Sequence, residues 1–178
     1  MKRDVIISAL LGLALAAPLQ AQSSSLGLGV GVVTPEGLDS SMWYTANLRL
    51  PLGSYLAIEP EVGYFKLSEE PSDPATTFED LNYGANLLFV LPGDSLELFA
   101  GAGISAHRLK GGLGLAGVGG GAEESETRIG VQLLAGLELY LGESLGVFGA
   151  VRRDRLRETD LALEYTETKF YAGLRAGF

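Results

Sequence analysis

The only histidine of the chain, His107, stands two residues after Ser105. Residues two apart share one face of a β-strand, so the two side chains can touch. A serine beside a histidine can act as nucleophile and general base, provided that an acid orients the imidazole. No carboxylate stands at a fixed spacing from this pair. We therefore predict that the protein is not an enzyme and interpret His107 as a structural histidine.

Motifs for metals and cofactors are weak. Glu69, Glu70 and Asp73 lie close together, but they lack the regular ligand spacing of a calcium loop. One histidine and no cysteine exclude a soft-metal cluster. No helix follows the glycines between Lys110 and Glu126, so they are no phosphate-binding fingerprint. The sequence predicts neither a metal nor a cofactor.

In the segments that would position these candidate residues, apolar side chains alternate with other side chains at a period of two, which is typical of β-strands. In the first of them, Leu26, Leu28, Val30 and Val32 alternate with glycine. A water-exposed face is rarely glycine, whereas a narrow barrel interior has little room for side chains. The predicted strands are Leu26–Val32, Met42–Leu50, Tyr55–Phe65, Asp80–Val90, Leu96–His107, Thr127–Tyr140, Leu145–Arg153 and a last one from about Tyr165.

The connections between these strands alternate between long and short. The three short ones are alike: Pro51 to Ser54, Pro92 to Ser95 and Gly142 to Ser144. A membrane barrel with an even number of strands has this asymmetry, because its periplasmic turns are short and its outer loops are longer. In the third strand, Pro60 lacks a backbone donor, and we expect a bulge or a gap in the ladder there.

The last nine residues end the chain on an aromatic carboxylate. Phe170, Ala172, Leu174, Ala176 and Phe178 share one face. The stretch resembles the terminal strand of small bacterial outer-membrane β-barrels of the opacity-like, OmpA/OmpX-type family. The resemblance covers essentially the whole mature chain. It implies an all-β fold, an eight-stranded antiparallel up-and-down transmembrane barrel, in which these five residues are the insertion signal read by the barrel-assembly machinery.

Such a barrel would enclose many charged side chains. Charges inside it must be paired or hydrated, because isolated burial costs several kcal/mol. We expect Arg49 and Arg175 to pair with carboxylates and block the periplasmic half, although an ion gate that switches salt-bridge partners is the open alternative. Ser105 would face inward as well, away from lipid, unlike the catalytic groups of lipid A deacylases of this fold. The predicted interior network is Arg49, Glu59, Glu61, Glu97, Glu138, Arg175, His107, Arg128, Arg152 and Lys169.

Three arginines stand apart at the end of the seventh strand. Arg153, Arg155 and Arg157 would continue its outward face above the apolar band, at the level of lipopolysaccharide phosphates, which arginine binds well. The equal alternative is an internal charge mesh with Glu158, Asp160 and Glu164. Aromatic belts would hold Trp43, Tyr44 and Tyr64 at the outer surface, and Tyr55, Phe89, Tyr140 and Phe178 at the periplasmic one.

Residues 1–21 read as a cleaved signal peptide, with Lys2 and Arg3 before an apolar run that Pro18 ends. Residues 22–178 would then be one barrel domain. The formal net charge of −9 argues against nucleic acid as a partner.

The predicted protein is thus a monomer of the cell outer membrane that contacts lipid and lipopolysaccharide. We expect a structural or surface-interaction role through its outer loops. The alternatives are a small ion-conducting pore and a soluble periplasmic barrel that binds an apolar ligand, like a lipocalin. The soluble, lipocalin-like alternative would turn Leu28, Leu133 and Phe170 inward.

Overall fold

A computed structural model describes residues 24–36, 39–68, 77–110, 125–157 and 165–178. The predicted signal peptide lies outside these residues, as do Glu69, Glu70, Asp73 and the glycines from 111 to 121. None of the described residues belongs to a helix with the length and hydrophobicity of a membrane span. The strands are β1 (Ser25–Pro35), β2 (Ser41–Pro51), β3 (Leu56–Ser68), β4 (Thr77–Leu91), β5 (Leu96–Lys110), β6 (Ser125–Tyr140), β7 (Leu145–Arg157) and β8 (Tyr165–Gly177).

The eight strands form a closed antiparallel barrel in which each strand pairs with the next. The first and last strands close it, from Ser25 opposite Gly177 to Pro35 opposite Glu167. Closure satisfies the backbone groups that a free sheet edge would leave unpaired. The predicted fold is therefore confirmed. We call the end of the barrel that holds the three short turns, together with Ser24 and Phe178, the periplasmic end.

The strands extend beyond the predicted bounds at the opposite, outer end. Pairing of β3 with β4 continues through Lys66 opposite Glu79, and pairing of β7 with β8 continues through Asp154 opposite Glu167. The predicted end of the seventh strand at Arg153 is therefore wrong, because the strand continues to Arg157. Charged residues at these strand ends keep the inward–outward alternation, because the ladder hydrogen bonds depend on the backbone alone.

The outward face is apolar and exposed, while the inward face is polar and buried. Leu28, Leu133 and Phe170 point outward with 61, 63 and 60% of their surface exposed, whereas Gln132 and Arg175 are buried. This is the inverse of a protein that folds in water. The lipocalin-like alternative, which needed those three apolar side chains inside, is wrong.

Pro60 interrupts one ladder without shifting the register. Pairing between β2 and β3 stops after Asn47 opposite Glu61 and resumes at Leu50 opposite Ile58. On its other side Pro60 keeps its place opposite Ala85 of β4. The expected gap is therefore present, on the side of β2, where the missing N–H of proline leaves no donor.

Aromatic residues lie on both faces. Tyr44 and Tyr64 are exposed opposite each other on β2 and β3, and Tyr55 stacks on Phe89 at 6.3 Å between ring centroids. The assignment of Trp43 to the outer belt is wrong, because its side chain is completely buried inside the barrel. A Cβ at Gly63 would overlap the indole, so this glycine makes the room for Trp43.

Candidate functional site

Two arginines and three glutamates meet in the periplasmic half of the interior, and we call Arg49, Arg175, Glu59, Glu97 and Glu138 the lower cluster. Arg49 Nε donates to Glu59 Oε2 at 2.9 Å, and its Nη1 donates to Glu97 Oε1 at 2.5 Å. Arg175 Nη2 donates to Glu59 Oε2 at 2.9 Å and Nη1 to Glu138 Oε2 at 2.8 Å. These charge-assisted bonds join five strands across the interior.

Neutral side chains complete the lower cluster. Arg175 Nη2 also donates to Asn47 Oδ1 at 2.9 Å, and the Tyr140 hydroxyl donates to Glu97 Oε2 at 2.7 Å. The Arg49 guanidinium lies 4.4 Å from the centroid of the Phe99 ring, within cation–π range. Below the cluster, toward the periplasm, lies a cavity of about 650 Å³ that Arg49, Arg175, Glu97 and Glu138 line.

A second group, the upper cluster, consists of Arg152, Lys169, Glu61, Asp154 and Glu167. Arg152 Nε donates to Asp154 Oδ1 at 2.7 Å, and its Nη1 donates to Glu61. Lys169 Nζ donates to Asp154 Oδ2 at 2.7 Å and also to Glu167. The ammonium lies 4.0 Å from the centroid of the Trp43 indole. Buried aromatic surface and opposite charges thus surround both cations.

His107 adjoins the upper cluster. Its Nδ1 lies 2.7 Å from Asp80 Oδ2 and 3.7 Å from Glu167 Oε1, while its Nε2 lies 2.9 Å from Ser105 Oγ. Ser105, His107 and Asp80 are therefore arranged in one line of polar contacts. The sequence interpretation that His107 has no fixed acid partner is wrong. All of these side chains are buried, with 3% of Ser105 exposed and none of His107.

Sequence reasoning missed three interior acids: Asp80, Asp154 and Glu167. Each lies two residues from a recognised inward position, namely Asn82, Arg152 and Lys169. Extending the period of two by one step would have found them. Asp154 was missed because the predicted seventh strand ends one residue before it, and Asp80 and Glu167 lie at or near the start of their predicted strands.

Glutamine and asparagine link the two halves of the interior. Gln132 Nε2 donates to Asn86 Oδ1 at 2.5 Å and approaches Glu61 Oε1 at 3.4 Å. Of the predicted network, only Arg128 lies at the margin: it is half-buried, opposite His107 on the neighbouring strand. The polar interior is therefore one column from the lower cluster to His107.

Apart from Arg157, for which only the strand position is described, the remaining predicted residues lie on the outward face. Arg153 and Arg155 are exposed on β7, and Arg157 ends that strand opposite Ile129. The terminal-strand residues are exposed beside β1 and β7, and the Phe178 N–H donates to the Ser24 carbonyl at 2.9 Å. These outward terminal-strand residues are Phe170, Ala172, Leu174, Ala176 and Phe178.

Apolar side chains cover the column on its outer side. Val33, Leu67, Phe78 and Leu109 are inward-facing and buried in one cluster with Trp43. On its own strand, each of these four residues lies two positions closer to the outer end than another inward-facing residue, as Leu109 does relative to His107. The column is thus enclosed above by an apolar layer and opens below into the periplasmic cavity.

Comparisons with known proteins agree with this architecture. The family model of the outer membrane protein beta-barrel domain matches residues 6–178. Among solved structures, Neisserial surface protein A (NspA) is 18% identical with a TM-score of 0.72. The alignment covers 89% of this chain and 100% of NspA. No curated protein matches the sequence significantly.

Two further structures share the fold. The N-terminal barrel domain of Pseudomonas aeruginosa OprF is 14% identical, with a TM-score of 0.60. The alignment covers 89% of this chain and 100% of that domain. The outer membrane enzyme PagL is 18% identical, with a TM-score of 0.53 and coverages of 86 and 99%. At these identities the likeness concerns the fold alone. One of the proteins with this fold, PagL, is an enzyme.

Proposed function

The chain belongs to the outer membrane protein beta-barrel domain family and is a protein of the outer membrane, and on this premise we propose that it is a closed, non-conducting barrel with a structural or surface-interaction role. In this proposal the outer connections contact the partner, and the interior has no transport function. The terminal-strand residues serve insertion by the assembly machinery, and the barrel acts as a monomer.

The observation that supports a closed interior is the lower cluster. Its two guanidiniums each bond to carboxylates on at least two other strands, and the side chains are buried. Ions that cross this level would have to displace charge-assisted hydrogen bonds in a poorly hydrated space, which is costly. A barrel of eight strands has little space beside such side chains.

Planar-bilayer recording tests the closed interior. We expect no discrete current steps from the refolded chain, and steps after the double change Arg49→Ser and Arg175→Ser, which removes both guanidiniums. The matched control, Arg153→Ser with Arg155→Ser, removes the same charge from the outward face and should remain silent. A heat-dependent electrophoretic shift establishes that each sample is folded. Discrete steps from the unaltered chain would contradict the proposal.

The second candidate function is a gated ion pore, and one observation favours it. Arg49 and Arg175 share Glu59 and Glu138, so either arginine could exchange partners without leaving the cluster. The cavity of about 650 Å³ gives a wet approach from the periplasm. A pore of this kind would conduct in the unaltered chain, and Glu138→Gln would change its open fraction.

We further propose that Arg153, Arg155 and Arg157 contact lipopolysaccharide phosphates. A basic residue near an anionic lipid surface contributes about 1 kcal/mol, so changing all three to Gln should weaken lipopolysaccharide binding by roughly 100-fold. Retention in a lipopolysaccharide pull-down from detergent measures this. The control triple change, at Lys66, Arg108 and Lys110, removes the same charge from β3 and β5. Equal losses in both triples would mean that general charge, not this strand, governs binding.

We propose no enzymatic activity, although PagL shares the fold. The line from Ser105 through His107 to Asp80 resembles a nucleophilic arrangement, but its serine lies inside the barrel, where acyl chains in the surrounding lipid do not reach. A nucleophile must contact its substrate to act. The chemistry of this group is instead that of a buried binding site.

A further inference from the structure

Three potential ligand atoms, from β4, β5 and β8, converge inside the barrel. His107, Asp80 and Glu167 each place one nitrogen or oxygen within 4.8 Å of the others, and all three residues are buried. We propose that these residues bind one Zn²⁺ ion inside the barrel. This site is independent of the role of the outer loops and of the closed lower cluster.

Ser105 fixes the imidazole in an orientation that suits a metal. When Nε2 carries the proton, it donates to Ser105 Oγ at 2.9 Å, and the lone pair of Nδ1 points toward Asp80 and Glu167. Metal-binding histidines usually donate their other N–H to such a partner. In the metal-free barrel a proton on Nδ1 can bridge the 2.7 Å to Asp80 Oδ2, and the proposal places the metal ion in the position of that proton.

Unpartnered polar atoms surround the same point. Asp80 Oδ1 and Glu167 Oε2 are buried and accept no hydrogen bond from the described residues, and neither polar atom of Asn82 has a partner there. Asn82 is the register partner of His107 and lies two residues after Asp80 on the same inward face. Buried polar groups left without partners are costly, and a bound cation with its water would satisfy these oxygens.

The charge of the surroundings also favours a cation. Glu61, Asp80, Asp154 and Glu167 are four buried carboxylates, whereas Arg152 and Lys169 are the two buried cations bonded among them. Among these six buried groups two negative charges remain with a neutral imidazole, before half-buried Arg128 at the margin is counted, and one Zn²⁺ ion would balance those two charges. An uncompensated buried charge is strongly destabilising, so the group gains from a positive ion between its acids.

The donor set selects zinc over the hard cations. Ca²⁺ and Mg²⁺ prefer oxygen ligands alone, whereas Zn²⁺ accepts imidazole together with carboxylates. A tetrahedral ion with bonds of about 2.1 Å separates its ligands by roughly 3.4 Å. The 3.7 Å between Nδ1 and Glu167 Oε1 is close to this value, and the Asp80 contact of 2.7 Å must open slightly.

Zinc would enter while the barrel forms, because the apolar layer of Val33, Leu67, Phe78 and Leu109 covers the column afterwards. The experiment therefore refolds the chain, without a histidine tag, into detergent with Zn²⁺ and then passes it over a chelating resin. Atomic emission should find about one zinc per chain, and less than about 0.1 after His107→Gln. Glu143→Gln, an exposed turn carboxylate, is the matched control and should keep its zinc.

Two further measurements distinguish a site from a folding defect. Ser105→Ala should keep the stoichiometry but weaken the affinity by roughly tenfold, because it removes the partner of Nε2. Co²⁺ refolded into the unaltered chain should give the visible absorption bands of a four- or five-coordinate ion. The proposal is overturned if the unaltered chain retains no stoichiometric zinc and shows no such bands, or if His107→Gln retains as much zinc as Glu143→Gln.

Discussion

Replacing Arg175 with methionine should lower the free energy of unfolding of the refolded barrel by about 3–5 kcal/mol, because three buried glutamates then share one remaining guanidinium, that of Arg49. Arg175 is 2% exposed and bonds to Glu59, Glu138 and Asn47. Methionine keeps the unbranched apolar stem but not the guanidinium, whose Cζ lies 4.8 Å from the centroid of the Phe148 ring, so this contact is lost together with the charge.

Equilibrium unfolding in guanidinium chloride, with lipid vesicles present, measures this loss. Arg153→Met, an outward and exposed site, is the control and should stay within about 0.5 kcal/mol of the unaltered protein. Adding Glu138→Gln to Arg175→Met removes one of the two negative charges that are then in excess, so it should restore part of the lost free energy of unfolding. A change below about 1 kcal/mol for Arg175→Met would indicate a hydrated interior in which the pairs contribute little.

The second large effect concerns the outward face. Val30→Arg places a charge at the middle of β1, on the exposed apolar face that we expect at the centre of the bilayer, and should cost about 2–4 kcal/mol in lipid. Thr34→Arg introduces the same side chain on the same face, four residues nearer the outer end. Near the interface the expected cost falls to about 0–1 kcal/mol.

Unfolding of both variants from vesicles of one lipid composition provides the comparison. The difference between the two sites is the informative quantity, since the loss of β-propensity from Val and Thr is similar. If Val30→Arg were tolerated as well as Thr34→Arg, the apolar outward face would not be the surface that meets the hydrocarbon.

The faces of the strands could be predicted from sequence, whereas the partners of the charges could not. Alternation with glycine on one face distinguishes inside from outside, because it depends on residues next to each other in the chain. Arg49 and Glu138 are 89 residues apart, and they meet only because the barrel closes. Which carboxylate each arginine reaches depends on the tilt and stagger of eight strands.

The outer half of the site was harder to predict for a related reason. Asp154 lies just past the predicted end of the seventh strand, and Glu167 lies near the predicted start of the last one, yet both are buried inside paired strands. Asp80 was taken as the first residue of its strand, and its contact with His107 follows from the pairing of β4 with β5. Trp43 was misplaced because an aromatic near a strand end fits a membrane belt, although the period of two puts it on the same face as Asn47 and Arg49, and Gly63 leaves the space for its ring.

The seam between β1 and β8 has a consequence for how the molecule is made. Ser25 pairs with Gly177, so the contacts that complete the structure have nearly the largest sequence separation that this chain allows. Such contacts slow folding, because the entropy of closing the long loop is lost before the contacts form. Residues 165–177 must have been synthesised before β1 can pair with its second neighbour. Until then the exported polypeptide has two unpaired strand edges and must be kept from aggregating by other proteins.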